Sequence, residues 1–302
     1  MIRPVNFGFN TETAVNNAFQ VAGQEAGAQA RAEKEFDEMV SLLRSHGISV
    51  TVVQDTPQPY TPDSIFPNNW ISFHEDGSVV LYPMFALNRR AERKPQVLNT
   101  IFSRFAHSAL LDLSEEEKHN RFLEGTGSMV LDRENRIAYA CLSPRTDSTV
   151  LQRFCEKMQY RPMAFTATDA SQQLIYHTNV MMCVADRFVV ICLDAIRDPS
   201  EKEKVISCIR SSGKELIVIS FAQMNAFAGN MLQVQNAAGE KFLVMSSRAH
   251  ASLEPEQRKK LETYNPILHA DLYTIETNGG GSARCMMAEV YLPLLQSPQV
   301  IQ

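Results

Sequence analysis

The 302-residue sequence predicts an α/β protein assembled from repeated hairpin-plus-helix units. Three observations carry that expectation: short strand-like runs recur along the whole chain, turn residues join them in pairs, and helical periodicity separates the pairs. The strand-like runs cover residues 49–54, 78–84, 128–131, 136–142, 180–184, 188–193, 215–220, 231–235, 241–245 and 272–276. Residues 129–142 read as two apolar runs around 132–135, and residues 180–193 as two more around 185–187, both with turn chemistry between them. The clearest helix spans about 28–46, where Ala32, Phe36, Met39, Val40 and Leu43 share one face and Gly47 supplies the stop. Further helical patterns occupy 89–105, 147–158, 199–211 and 254–263. No composition shift or low-complexity linker marks a boundary, so residues 1–302 read as a single domain. Five units of about 60 residues would consume that length.

Composition narrows the class. With 44% hydrophobic and 21% charged positions the chain excludes intrinsic disorder and collagen-like repeats. Its net charge of −5 has the wrong sign for neutralising many phosphates, so nucleic acid is not an expected partner. No window reaches the roughly 18 apolar residues of a membrane helix, and the opening MIRPVNFGFN lacks a signal-peptide core. The expectation is a cytoplasmic protein with no membrane partner. Its six cysteines then read as reduced thiols, none in a CxxC pair. No metal-ligand constellation is visible, and the chemistry that follows calls for no cofactor.

Cys285 stands after three glycines in Gly279-Gly280-Gly281-Ser282-Ala283-Arg284-Cys285, where backbone can approach a neighbour closely. The apolar run that follows reads as a buried helix or strand; were it a helix, its N-terminus would favour the thiolate. Cys141, Cys183 and Cys192 lie inside strand-like runs, and Cys155 and Cys208 inside helices, which suits plain burial. His177, at the mouth of a strand pair, could carry a proton for a cysteine, whereas His46, His107, His119 and His250 look like background. Glu124 sits on a glycine-flanked turn before a strand. Arg89, Arg90 and Arg145, in loops after strands, are candidates for a two-point grip on a carboxylate.

Taken in order, Met1-Ile2-Arg3-Pro4, Asp63-Ser64-Ile65-Phe66-Pro67-Asn68-Asn69-Trp70, Asn88-Arg89-Arg90-Ala91-Glu92, Glu124-Gly125-Thr126-Gly127, Leu142-Ser143-Pro144-Arg145-Thr146-Asp147, His177 and the glycine-rich segment before Cys285 resemble the pentein, or guanidino-group-modifying, superfamily. That superfamily comprises arginine deiminases, dimethylarginine hydrolases and amidinotransferases. The resemblance implies a five-bladed, pseudo-symmetric α/β propeller with the site in its central channel. It further implies Cys285 as nucleophile, His177 as acid/base and Glu124 as the carboxylate that holds substrate nitrogens and supports His177. Arg90 and Arg145 would clasp the α-carboxylate of an amino-acid substrate, Asp63 its ammonium, and Phe66 would line the pocket. The oligomeric state stays open, a homodimer included.

The departures from the pattern are informative. Guanidine-handling relatives usually place an aspartate six residues after the position of Asp63, and deiminases another two after the catalytic histidine; here these are Asn69 and Asn179. A desolvated carboxylate suits a cation, whereas an amide offers a donor and an acceptor to a neutral group. The pocket is therefore expected to prefer a ureido head, and the resemblance extends to the citrulline-utilisation hydrolases of the superfamily. Such an enzyme would release ornithine, ammonia and carbon dioxide through a thiocarbamoyl intermediate, with oxyanion support from Asn69 or the glycine-rich backbone. The alternatives are arginine deimination, methylarginine hydrolysis or amidino transfer, and, outside catalysis, a pentein used as a binding module.

Overall fold

The computed structural model describes residues 1–22 and 26–295. Four units share one plan. In the second, β3 (Ile71–Phe73) and β4 (Ser78–Leu81) form an antiparallel hairpin, the chain crosses through the helix Pro95–Phe102, and β5 (Ala109–Asp112) returns parallel to β4. The third unit repeats this with β6 (Val130–Asp132), β7 (Ile137–Cys141), the helix Ser148–Met158 and β8 (Arg161–Phe165). The fourth uses β9 (Met182–Val184), β10 (Phe188–Ile191), the helix Pro199–Ser211 and β11 (Glu215–Val218). In the fifth, β12 (Leu232–Gln235), β13 (Lys241–Ser246), the helix Pro255–Glu262 and β14 (Ile267–Ala270) do the same. The first unit has only the parallel pair, β1 (Ile2–Arg3) and β2 (Val53–Gln54), joined through the helix Ala28–Ser45.

Local chemistry explains the helix starts and stops. Asp147 and Asp198 each accept two backbone N–H bonds at a helix N-terminus, and proline opens three of the five crossover helices. Helix Ala28–Ser45 buries Ala32, Phe36, Met39, Val40 and Leu43, the face read from the sequence, and stops before Gly47. The helical pattern at 89–105 is broken by Pro95 into a turn, Leu87–Arg90, and a separate helix.

Core packing closes the units into a five-bladed ring. Val150, Leu151 and Phe154 of the third unit's helix pack with Val80 and Tyr82 of the second unit. Val97 and Ile101 of the second unit's helix pack with Ile2 and Val53 of the first. The first unit's helix in turn packs through Phe36 and Met39 on Leu232, Val244 and Leu268 of the fifth. Each of these helices thus bridges to the sheet that precedes it around the ring, and burial of its apolar face holds neighbouring blades together.

One strand expectation fails. Residues 272–276 are not a strand: Ile275–Gly279 forms a π-helical turn, and the pairing strand lies upstream at Ile267–Ala270. A short apolar run buried on all sides carries no period that separates strand from helix. Of the two conformations left open for the segment after Cys285, helix or strand, the helix does not form: a single 3₁₀ turn, Ala283–Met286, gives way to extended backbone at Met287. Among the described residues no helix is long and apolar enough to cross a membrane.

Candidate active site

Each blade contributes one tight turn to the centre of the ring. The turns Pro67–Asn69, Gly125–Ser128 and Thr178–Met181 immediately precede the hairpins of units two, three and four. A fourth, closed by the Asn230 N–H on the Phe227 carbonyl, precedes β12. The fifth, Ala283–Met286, leads back to the first unit, where Leu292 joins the core of Ile2 and Val53. The turns pack backbone to backbone. A Cβ on Gly125, whose φ is +47°, would lie 2.3 Å from the Asn68 carbonyl, so no side chain fits between turns two and three.

At this centre Glu124 and His177 meet. Glu124 Oε2 lies 2.7 Å from His177 Nε2, and its Oε1 accepts the Phe85 N–H at 2.9 Å. Burial works against the carboxylate, but Arg145, the His177 bond and Arg89 outweigh it and hold Glu124 well below the usual carboxylate range. His177 is buried too, and burial lowers its pKa to about 4 against the pull of Glu124. The pair is therefore carboxylate plus neutral imidazole at neutral pH. With Nε2–H donating to Glu124, Nδ1 is the nitrogen that can take a proton.

Cys285 is buried on the fifth turn. Its N–H bonds the Ser282 carbonyl within a single 3₁₀ turn, so no longer helix presents its N-terminus to the sulfur. Side-chain amides reach the sulfur instead: Asn179 Nδ2 at 3.4 Å and Asn230 Nδ2 at 3.3 Å. Phe66 lies against the glycine run before Cys285. A Cβ on Gly281 would fall 2.9 Å from its ring and 3.2 Å from the Cys285 Cβ, which explains the glycine run.

Asn69 is oriented by a neighbour. Arg89 Nη1 donates to Asn69 Oδ1 at 2.8 Å, and an arginine can only donate, so the acceptor end of the amide faces Arg89. The donor end, Nδ2, is buried without a protein partner and lies with His177 Nδ1 around Gly127, whose Cβ would meet them at 2.3 and 2.8 Å. Among the described residues, the expected site residues Asn179 and Asp63 each likewise keep a buried, unpartnered acceptor, Oδ1 in both. Asp63 Oδ2 accepts from Asn10 and Thr13 at 2.7 and 3.1 Å, and burial raises its pKa against the pull of Arg89.

The arginines divide. Arg145 is buried, its Nη1 3.5 Å from Glu124 Oε2, its Nε on Asn16 Oδ1 at 2.8 Å and its Nη2 on the Thr13 carbonyl at 2.7 Å. Arg90 stands at the rim, bonded to the Met84 and Phe85 carbonyls and 3.6 Å from Glu117. Arg89 is the deeper of the two neighbours, paired with Glu92 at 2.8 and 3.0 Å and 3.9 Å from both Asp63 and Glu124. Sequence reasoning weighed Arg89 only as a carboxylate grip and missed Asn230. The available signal was position: Gly229-Asn230 precedes a strand as Glu124-Gly125 does.

Solved structures share the fold. The fold matches full-length ArgZ, an arginine dihydrolase from cyanobacteria, at 18% identity and TM-score 0.77, over 99% of this chain and 41% of that one. This chain therefore spans less than half of that protein. The N-terminal domain of ArgZ, covalently bound to a reaction intermediate, matches at 18% identity and TM-score 0.75 over 97% of this chain and 98% of the domain. A dimethylarginine dimethylaminohydrolase, as its adduct with 4-chloro-2-hydroxymethylpyridine, matches at 14% identity and TM-score 0.61 over 85% and 90%. No curated protein sequence matches the chain. The family model described as N,N dimethylarginine dimethylhydrolase, eukaryotic, matches residues 3–292. With a match of that length, the chain belongs to this family.

Proposed function

We propose that the protein hydrolyses the ureido group of citrulline to ornithine, ammonia and carbon dioxide. The observation that carries this reading is the fixed direction of Asn69: its acceptor is taken by Arg89, and its donor, Nδ2, is left buried and unpartnered near His177 Nδ1. A guanidinium has only N–H donors and would meet that donor unfavourably, whereas a ureido oxygen accepts from it. Asn179 Oδ1 offers the complementary acceptor to a ureido NH₂.

In this reading His177 Nδ1 takes the Cys285 thiol proton, and the imidazolium formed is paired with Glu124. The sulfur adds to the ureido carbon while Asn69 Nδ2–H meets the developing oxyanion, a contribution of about 3 kcal/mol in comparable sites. His177 returns the proton to the departing ornithine nitrogen. Water, deprotonated by the now neutral His177, cleaves the thiocarbamoyl enzyme, and the carbamate released breaks down to ammonia and carbon dioxide. Asp63 Oδ1 receives the substrate ammonium, and Arg145 with Arg90 the carboxylate, which would replace Asn16 on the Arg145 fork. The site draws on all five blades, which supports treating the chain as one catalytic domain.

Hydrolysis of a guanidino group is the second reading, favoured by the unpartnered carboxylate oxygen of Asp63. A parallel assay of citrulline, arginine, dimethylarginine and agmatine, beside a Cys285→Ser control, separates the two. Ornithine from citrulline alone is the expected result; release of citrulline from arginine or dimethylarginine, with citrulline itself inert, overturns the proposal.

A further inference from the structure

Asn230 has no part in the steps above, yet its amide lies against the sulfur. Its hydrogen-bonding capacity is fully assigned. Oδ1 accepts the Arg284 N–H at 3.0 Å, which prevents the amide from flipping. One Nδ2 hydrogen goes to the Asn179 carbonyl at 2.9 Å, which leaves the other for Cys285 Sγ at 3.3 Å. In the thiol state the sulfur can also donate to Oδ1, 3.7 Å away. Nothing remains for a substrate. Asn179, by contrast, gives Nδ2 to the sulfur and keeps Oδ1 free for a ligand.

We infer that Asn230 is a catalytic residue whose Nδ2–H stabilises the Cys285 thiolate as it attacks and again as it departs. The inference rests on Cys285 being the nucleophile and extends the mechanism to a residue outside the Glu124–His177 pair. Its physical basis is the sulfur's surroundings. A buried anion needs compensation, the turn Ala283–Met286 presents no long helix to supply it, and amide donors are what the structure places at the sulfur. Asn230 further ties the sulfur's own turn, through Arg284, to the turn that follows His177, through the Asn179 carbonyl.

Asn230→Asp tests this directly, because it keeps the shape and the acceptor for Arg284 while replacing the donor with a carboxylate oxygen. The readout is the rate of Cys285 alkylation by iodoacetamide across pH, followed on the Cys285 peptide by mass spectrometry. The expected result is a profile displaced to higher pH, with the neutral-pH rate down about tenfold or more, the size of one hydrogen bond to a charged group. A superposable profile, or a loss of rate equal at every pH, overturns the inference. Should the variant not fold, the unmodified protein decides: an alkylation profile no different from that of free cysteine also overturns it. Alkylation needs no substrate, so the outcome is independent of whether citrulline is turned over.

Discussion

Replacing Asn69 by aspartate is the sharpest perturbation of the proposed chemistry. The new side chain keeps an oxygen for Arg89 Nη1, now 2.8 Å from Oδ1, and puts a second oxygen where Nδ2 lies buried and unpartnered. Two costs follow for a ureido substrate. Loss of one oxyanion donor is worth about 10²–10³-fold in kcat. A negative charge about 4 Å from the developing oxyanion adds repulsion of about 4 kcal/mol at an effective dielectric of about 20. Arg89 does not neutralise this, since Glu92, Asp63 and Glu124 already surround it. Citrulline turnover in Asn69→Asp is therefore expected to fall about 10⁵-fold or more, while Asn69→Ala, which loses the donor without adding charge, falls only about 10²–10³-fold. Ornithine release measured by amino-acid chromatography gives kcat and KM, and a thermal melt of each variant establishes folding. Citrulline turnover by folded Asn69→Asp within threefold of the unmodified enzyme would refute the reasoning.

Two further predictions rest on the same geometry. Because burial brings His177 to about 4, the base is already neutral well below pH 6, so kcat/KM for citrulline is expected to stay level on the acid side until pH nears 4. A pH–rate profile whose acid limb bends near 6.5 would contradict this. Gly127→Ala would place a methyl group 2.3 Å from Asn69 Nδ2 and 2.8 Å from His177 Nδ1, so both must shift. Activity is expected to drop about 10²-fold and stability by about 1–3 kcal/mol, read from kcat and a denaturant melt; unaltered kinetics would show that these two groups need not converge.

How much of this was legible in the sequence follows from what kind of signal each part emits. The helix Ala28–Ser45 announces itself by five apolar residues on one face, and the β6–β7 and β9–β10 hairpins by apolar runs on either side of turn residues. β5 and β8 emit no such signal. Ala109–Asp112 is mostly exposed at an edge, and Arg161–Phe165 contains Pro162, so neither alternates. Glu124, His177 and Cys285 could be picked out because their residue types name a chemistry. Asn230 could not, since an amide becomes functional only through what it touches, here a sulfur 55 positions away in the chain. The orientation of Asn69 was equally hidden: it is set by Arg89, a residue whose side chain reads from sequence alone as a ligand grip.

One feature of the ring bears on the nucleophile in particular. The chain around Cys285 is moored on both sides to other blades: upstream the Gly280 carbonyl takes the Tyr176 hydroxyl at 2.6 Å, and downstream Pro293 and Leu295 exchange backbone bonds with Ala106 and Arg104 at 2.8 and 2.9 Å. The sulfur thus lies on a stretch of chain held to other blades at both ends, and at its own turn by Asn230. The upstream tie runs through Tyr176, next in the chain to His177, so base and nucleophile share an anchor.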